Sequence, residues 1–159
     1  MVPLIRRAKV ADAPALALLR YALREETDGV TEAASVFLRR CIEWMTRELG
    51  GSAWRCWLAE GESETEEILG AVWLCRIPKI PNPGGAPEAH AYLSNFFVRP
   101  YARDRGTGSL LLQAAMSWCK VERIDSVVVW PTERSRTLYQ RNGFRVPTGV
   151  LDRPISAHF

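Results

Sequence analysis

An apolar strand that runs into two glycines one residue apart, directly before an amphipathic helix, constrains this chain more than any other feature. The stretch is Val98-Arg99-Pro100-Tyr101-Ala102-Arg103-Asp104-Arg105-Gly106-Thr107-Gly108-Ser109-Leu110-Leu111. The first N–H groups of a helix have no intrahelical partner, and the helix dipole adds partial positive charge there. Glycine lets a ligand approach that bare backbone, and Arg103 and Arg105 add full charges. In physical terms the turn is a cradle for a pyrophosphate-like anion. The alternative is that Gly106 and Gly108 only permit tight packing of helix on strand. Two familiar nucleotide patterns do not fit. A dinucleotide fingerprint needs a third glycine where Leu111 stands, and a P-loop needs Gly-Lys-Ser/Thr, which is absent.

The segments around this turn read as one layered αβ domain over residues 1–159. Leu4 to Ala8 is a short strand. Asp12 offers an N-cap with Pro14 just inside, and Leu16, Leu19 and Leu23 form a helical stripe. A second helix is expected from about Thr31, with Leu38, Ile42, Met45 and Leu49 on one face and Gly50-Gly51 ending it. Trp54 to Ala59 is a strand and Gly61 to Glu67 a polar turn. Ile68 to Cys75 is apolar on both parities, as a strand covered on both faces must be. The segment from Ile77 to Pro87 carries four prolines and two adjacent glycines, which exclude regular structure. The pattern then gives a strand over Ala89–Val98, a helix from about Gly106 to Val121, a strand over Ser126–Trp130 and a helix over Thr132–Asn142 stopped by Gly143. Further strands are expected at Phe144–Val146 and near Val150–Ser156.

Composition narrows the class. A chain of 159 residues, 47% hydrophobic and 25% charged, suits one ordinary globular core. Disorder, collagen and coiled coil are excluded, and no apolar run approaches the roughly 20 residues of a spanning helix. Charge follows apolar residues too soon at the N-terminus for a signal peptide, so the expected address is the cytoplasm. Cys41, Cys56, Cys75 and Cys119 have neither metal nor redox spacing, and the histidines are only His90 and His158. No disulfide and no metal site is expected. Residues 1–80 hold 11 basic and 12 acidic side chains, and residues 81–159 hold 10 and 6. The resulting charges, −1 and +4, make the second half the better host for a compact polyanion. Arginines without interleaved exposed aromatics argue against a nucleic-acid module.

Arg103-x-x-Gly106-x-Gly108, preceded by Val98-x-Pro100, closely resembles the signature of the GCN5-related N-acetyltransferase (GNAT) superfamily. A second block, Ser135-Arg136-Thr137-Leu138-Tyr139-Gln140-Arg141-Asn142-Gly143-Phe144, is similar to that family's terminal helix and following strand. The resemblance implies an α/β (α+β layered) fold: a mixed six- to seven-stranded sheet, about four helices, and a splay between the fourth and fifth strands. It implies acetyl-CoA as co-substrate. Backbone groups of Phe96, Phe97 and Val98 would pair with the pantetheine arm, the Val98 N–H reaching the thioester carbonyl. Amides of Asp104, Arg105, Gly106, Thr107, Gly108 and Ser109 would wrap the pyrophosphate, with Arg103 and Arg105 near the phosphates. Thr132 stands where relatives often carry a cofactor-contacting asparagine. Tyr139 matches the tyrosine that protonates the departing thiolate.

One departure matters. Where many relatives have a glutamate base, this chain has Leu93-Ser94-Asn95. Glu88 and His90 lie upstream on that strand and Glu133 near the last helix, but each reads as a surface residue. The expected activity is acetyl transfer to a primary amine in a ternary complex, with no nucleophilic cysteine. A non-catalytic acyl-CoA-binding or sensing domain of the same fold is the alternative. The acceptor, a small molecule or a peptide amine, is not readable, and a homodimer is left open. Trp44, Trp54, Trp57 and Trp73 read as core rather than pocket. The Pro78–Pro87 loop reads as an acceptor lid, an inert connection or a subunit contact.

Overall fold

Strand β3, Ile68–Pro78, is the centre of the molecule, and its two faces feed two separate cores. Ala71 and Trp73 pack with Leu16, Met45 and Leu58 on one side, while Val72 and Leu74 pack with Leu93, Leu111 and Ala115 on the other. That is why the sequence is apolar on both parities. The computed structural model describes residues 2–61 and 67–155. The Gly61–Glu67 turn lies largely outside the described residues.

The sheet runs in sequence order: β1 (Leu4–Arg7), β2 (Trp54–Glu60), β3, β4 (Ala89–Val98) and β5 (Ser126–Val128). The first three pairings are antiparallel and β4–β5 is parallel. Helices α1 (Ala13–Thr27) and α2 (Ala34–Gly50) cover one face. Helices α3 (Thr107–Val121) and α4 (Glu133–Arg141) contribute to the core on the other. Asp12 caps α1 by position, but its side chain turns instead to Arg6 and the Lys9 N–H.

The strand count differs from expectation. Five strands are present among the described residues, not six or seven. Phe144–Val146 is irregular because Phe144 folds back on Tyr139, and Pro147 comes directly after. Residues 150–155 form no strand, and Pro154 interrupts them; Ser156 lies outside the described residues. The Pro-rich loop is pinned at its base by Lys79, which bridges Glu88 (3.3 Å) and Asp125 (2.5 Å).

Two irregularities in the sheet shape the edge of β4. Opposite β3, the pairing steps from Ala71↔Phe97 to Trp73↔Ser94, so β4 carries one extra residue around Asn95. Asn95 has φ 49°, the left-handed region that asparagine tolerates better than most side chains. On the other edge, β4 pairs β5 only from His90↔Ser126 to Tyr92↔Val128. Beyond Tyr92 the strands part. The expected splay between the fourth and fifth strands is therefore present, and it shortens β5 to three residues against the expected Ser126–Trp130.

Candidate active site

The parting of β4 and β5 opens a cleft of about 1200 Å³, walled by β4 from Tyr92 to Val98, by α1 from Arg20 to Thr27 with the following Asp28, and by α4. Backbone alternation decides what β4 offers to it. The Arg99 N–H donates to the Leu69 carbonyl of β3 (2.8 Å), so the neighbouring Gly70↔Val98 pair is a non-hydrogen-bonded one. Val98 thus points its N–H and C=O at the open edge. Its carbonyl is taken by Arg103 Nε at 2.8 Å, which leaves the N–H facing the cleft. At Gly70 an added Cβ would stand 2.7 Å from the Phe97 carbonyl, so only glycine lets β3 approach β4 this closely.

The glycine turn comes next along the chain. Asp104 (φ 59°) and Gly106 (φ 83°) are both left-handed, and the first backbone donation into α3 is from Leu110 to the Gly106 carbonyl at 3.0 Å. Among the described residues, the N–H groups of Asp104 through Ser109 meet no protein acceptor. The two glycines do different work. Gly106 needs its backbone angle and has open space around it. Gly108 makes room, since an added Cβ would stand 3.2 Å from Leu138 and 3.3 Å from Phe96. The packing explanation is thus sufficient for Gly108 and insufficient for Gly106.

Tyr139 is fixed by the end of its own helix. The Phe144 N–H donates to the Tyr139 carbonyl (3.0 Å) across Gly143 (φ 87°), and the two rings lie 5.2 Å apart. This is a helix stop with its accompanying hydrophobic contact. Phe96 flanks the ring from β4 at 5.9 Å. Tyr139 is buried, lines the cleft, and forms no hydrogen bond through its hydroxyl among the described residues. Burial pushes the phenol well above its ordinary value.

All the sequence-predicted residues except Arg105 and Thr107 line this one cleft. Arg105 is exposed outside it. Thr107 is buried beneath the turn, its hydroxyl donating to the Ala102 carbonyl at 3.2 Å. Thr132 caps α4 by accepting from the Ser135 N–H at 3.3 Å. Arg103 is spoken for: besides Val98 it binds Glu26 at 2.7 Å and lies over the Phe97 ring. Glu26 also binds Arg134 at 2.7 Å, and the two guanidiniums hold its carboxyl below the usual range. Glu88, His90 and Glu133 do not line the cleft, nor does any cysteine or any residue of the Pro-rich loop. The four early tryptophans are core or packed against it.

Sequence reading missed Arg20, Glu26, Asn95, Arg134 and the Tyr92–Trp130 pair, whose rings meet at 5.2 Å. One signal was available. Arg20 stands one turn beyond Leu16 on the inward stripe of α1, where an apolar residue is expected.

Comparison with known proteins adds the relationship. A predicted acetyltransferase from Clostridium acetobutylicum, solved with acetyl-CoA, shares the fold at TM-score 0.74 and 17% identity, with 95% of each chain covered. A GCN5-related N-acetyltransferase from Ralstonia eutropha JMP134 matches at TM-score 0.74 and 23% identity, over 96% of this chain and 97% of that one. An acetyltransferase of Trypanosoma brucei matches at TM-score 0.68 and 20% identity, over 96% and 99%. A search of curated proteins finds no match. The model of the acetyltransferase (GNAT) family matches residues 17–144, most of the chain, and with the splayed strands and the glycine turn already in place this protein belongs to that family.

Proposed function

We propose that the protein transfers an acetyl group from acetyl-CoA to a primary amine, with both substrates bound in the cleft at once. The observation that carries this reading is the unpaired edge of β4 from Leu93 to Val98, continuous with the unpartnered amides of Asp104–Ser109. An extended pantetheine arm can add to such an edge as a strand would, and its pyrophosphate suits the amides. The acetyl-CoA in the Clostridium relative supports the choice of donor. Bound there, acetyl-CoA supplies a thioester whose C–S bond is exchanged for the C–N bond of an amide.

The chain's own residues have separable tasks in this reading. Phe96 presents backbone to the arm. The alternation that frees Val98 turns the Phe97 backbone toward β3, so the expected Phe97 contact is not a backbone pairing. The Val98 N–H donates to the carbonyl oxygen, where negative charge develops. Arg103 fixes Val98 by holding its carbonyl, so its contribution is orientation as well as charge. Asp104, Arg105, Gly106, Thr107, Gly108 and Ser109 give amides to the phosphates, and Thr132 borders them from α4. Tyr139 holds its phenolic proton and donates a hydrogen bond to the departing sulfur.

The test is thiol release from acetyl-CoA across a panel of amines, beside calorimetric titration of CoA. One observation favours the binding-only alternative. Of the three carboxylates that line the cleft among the described residues, Glu26 and Asp28 are tied to arginines, and Asp104 stands on the glycine turn, where the phosphates rather than the amine are placed in this reading. CoA binding with no thiol release above the solvent rate for any amine selects that alternative.

A further inference from the structure

Helix α1 turns an arginine toward the sheet. Leu16 is fully buried and Leu23 is half-buried, and Arg20 stands between them on the same side of the helix, itself half-buried and lining the cleft. One of its five N–H donors is used: Nη1 donates to Asn95 Oδ1 at 3.2 Å. No carboxylate meets it among the described residues. Among the other arginines of the cleft, Arg24 pairs with Asp28 and both Arg103 and Arg134 pair with Glu26, while Arg141, which also meets no carboxylate among the described residues, is exposed to water. A guanidinium withdrawn from water without an anion is costly, and a bidentate carboxylate is the partner its planar fork matches best. Burial and the nearby Arg24 both press on the charged form, which an incoming anion would relieve.

The CoA phosphates do not fill this role. Arg20 lies six residues before Glu26 on α1, about 9 Å along the helix axis, and Glu26 is the residue that meets Arg103 beside the glycine turn. Arg20 instead reaches Asn95, the extra residue of β4. Asn95 is three residues before Val98, about 7–10 Å along the strand once the bulge is allowed for. Tyr92 and Trp130 line the same cleft where β4 and β5 begin to part, with an aromatic surface suited to an apolar body.

We propose that Arg20, held by Asn95, binds a carboxylate of the acceptor, so that the amines used by this protein are amino carboxylates. The proposal rests on the acetyl-transfer reading and narrows it to one substrate class. Arg20 acts here as a specificity residue, and Asn95 as the residue that positions it.

The experiment compares amino acids with their carboxamides, for example glycine with glycinamide and phenylalanine with phenylalaninamide, by thiol release from acetyl-CoA. The wild type should favour the acids. Arg20→Gln should lower kcat/KM for the acids by about 10- to 100-fold, as expected for a lost charge-assisted hydrogen bond. The carboxamides and the CoA titration should be unaffected, and Arg20→Lys should restore part of the preference for acids. A wild type indifferent to the carboxylate overturns the proposal, as does a folded Arg20→Gln protein that loses acids and amides equally. If CoA binds but no amine is acetylated, the activity reading fails separately. Melting temperatures with CoA plus N-acetylglycine or N-acetylglycinamide then decide the site. A shift by the acid alone, absent in Arg20→Gln, sustains it, and equal shifts overturn it.

Discussion

Arg103 Nε donates to the Val98 carbonyl at 2.8 Å while Arg103 Nη2 holds Glu26 at 2.7 Å, so one side chain ties the last residue of β4 to the far end of α1. The residue that looks like a phosphate ligand in the sequence is also an internal clamp. Its hydrogen bond occupies the Val98 C=O on the open edge of β4 and leaves the N–H for the cleft.

Arg103→Gln should therefore weaken CoA binding by about 10-fold, the scale of one hydrogen bond to a charged group. If orientation of Val98 contributes, kcat should fall as well, because the Val98 N–H loses its fixed direction. Calorimetry and steady-state kinetics on the same preparation separate the two effects. A pure affinity loss would confine Arg103 to the phosphates.

Gly106 and Gly108 should respond differently to the same added methyl. Gly106→Ala meets open space but keeps φ 83°, a strain of about 1–2 kcal/mol. Gly108→Ala must displace Leu138 or Phe96 by a few tenths of an ångström, so its effect should appear in the packing of α4. Gly106→Glu adds a carboxylate beside the unpartnered amides and should abolish CoA binding in a folded protein. Full CoA affinity in that variant would remove the anion site from this turn.

Tyr139→Phe deletes a hydroxyl that has no partner among the described residues, so the melting temperature should hold or rise. If the hydroxyl serves the leaving sulfur, kcat should drop by about 100-fold or more with CoA affinity unchanged. The sign of the pH effect comes from burial. The phenol's pKa is raised, so the protonated form persists and kcat should show no alkaline loss from Tyr139 between neutral pH and about pH 10. An unchanged kcat in the variant, with chemistry limiting, would return the residue to the core.

Asp12 binds Arg6 through both carboxylate oxygens (2.8 and 2.9 Å) and accepts from the Lys9 N–H at 2.6 Å. These partners, Arg6 first, lower its pKa in the folded state. The stabilisation is therefore complete above the unfolded value near 3.9 and is lost as pH falls through the lower folded value. Asp12→Asn should cost about 1–2 kcal/mol at neutral pH, and the gap from wild type should close below pH 4. Parallel denaturation curves at pH 7 and pH 3 measure this directly.

Whatever depends on neighbours along the chain is legible in the sequence. The apolar run of β3, the glycine turn before α3 and the Gly143 stop after α4 are all local patterns, and each stands where expected. Phe144–Val146 shows the limit of such reading. Its residues suit a strand, but Phe144 is drawn onto Tyr139 by the helix stop, and Pro147 comes directly after. Where β4 and β5 part is a matter of tertiary structure, because register is set by pairing across 36 residues, from His90 to Ser126. So is the question of which arginines are satisfied. Arg103 meets Glu26 across 77 residues, and Arg20 meets Asn95 across 75. Periodicity along a helix reports which side faces inward, but only the packed fold determines whether a charge on that side finds a carboxylate or waits for one.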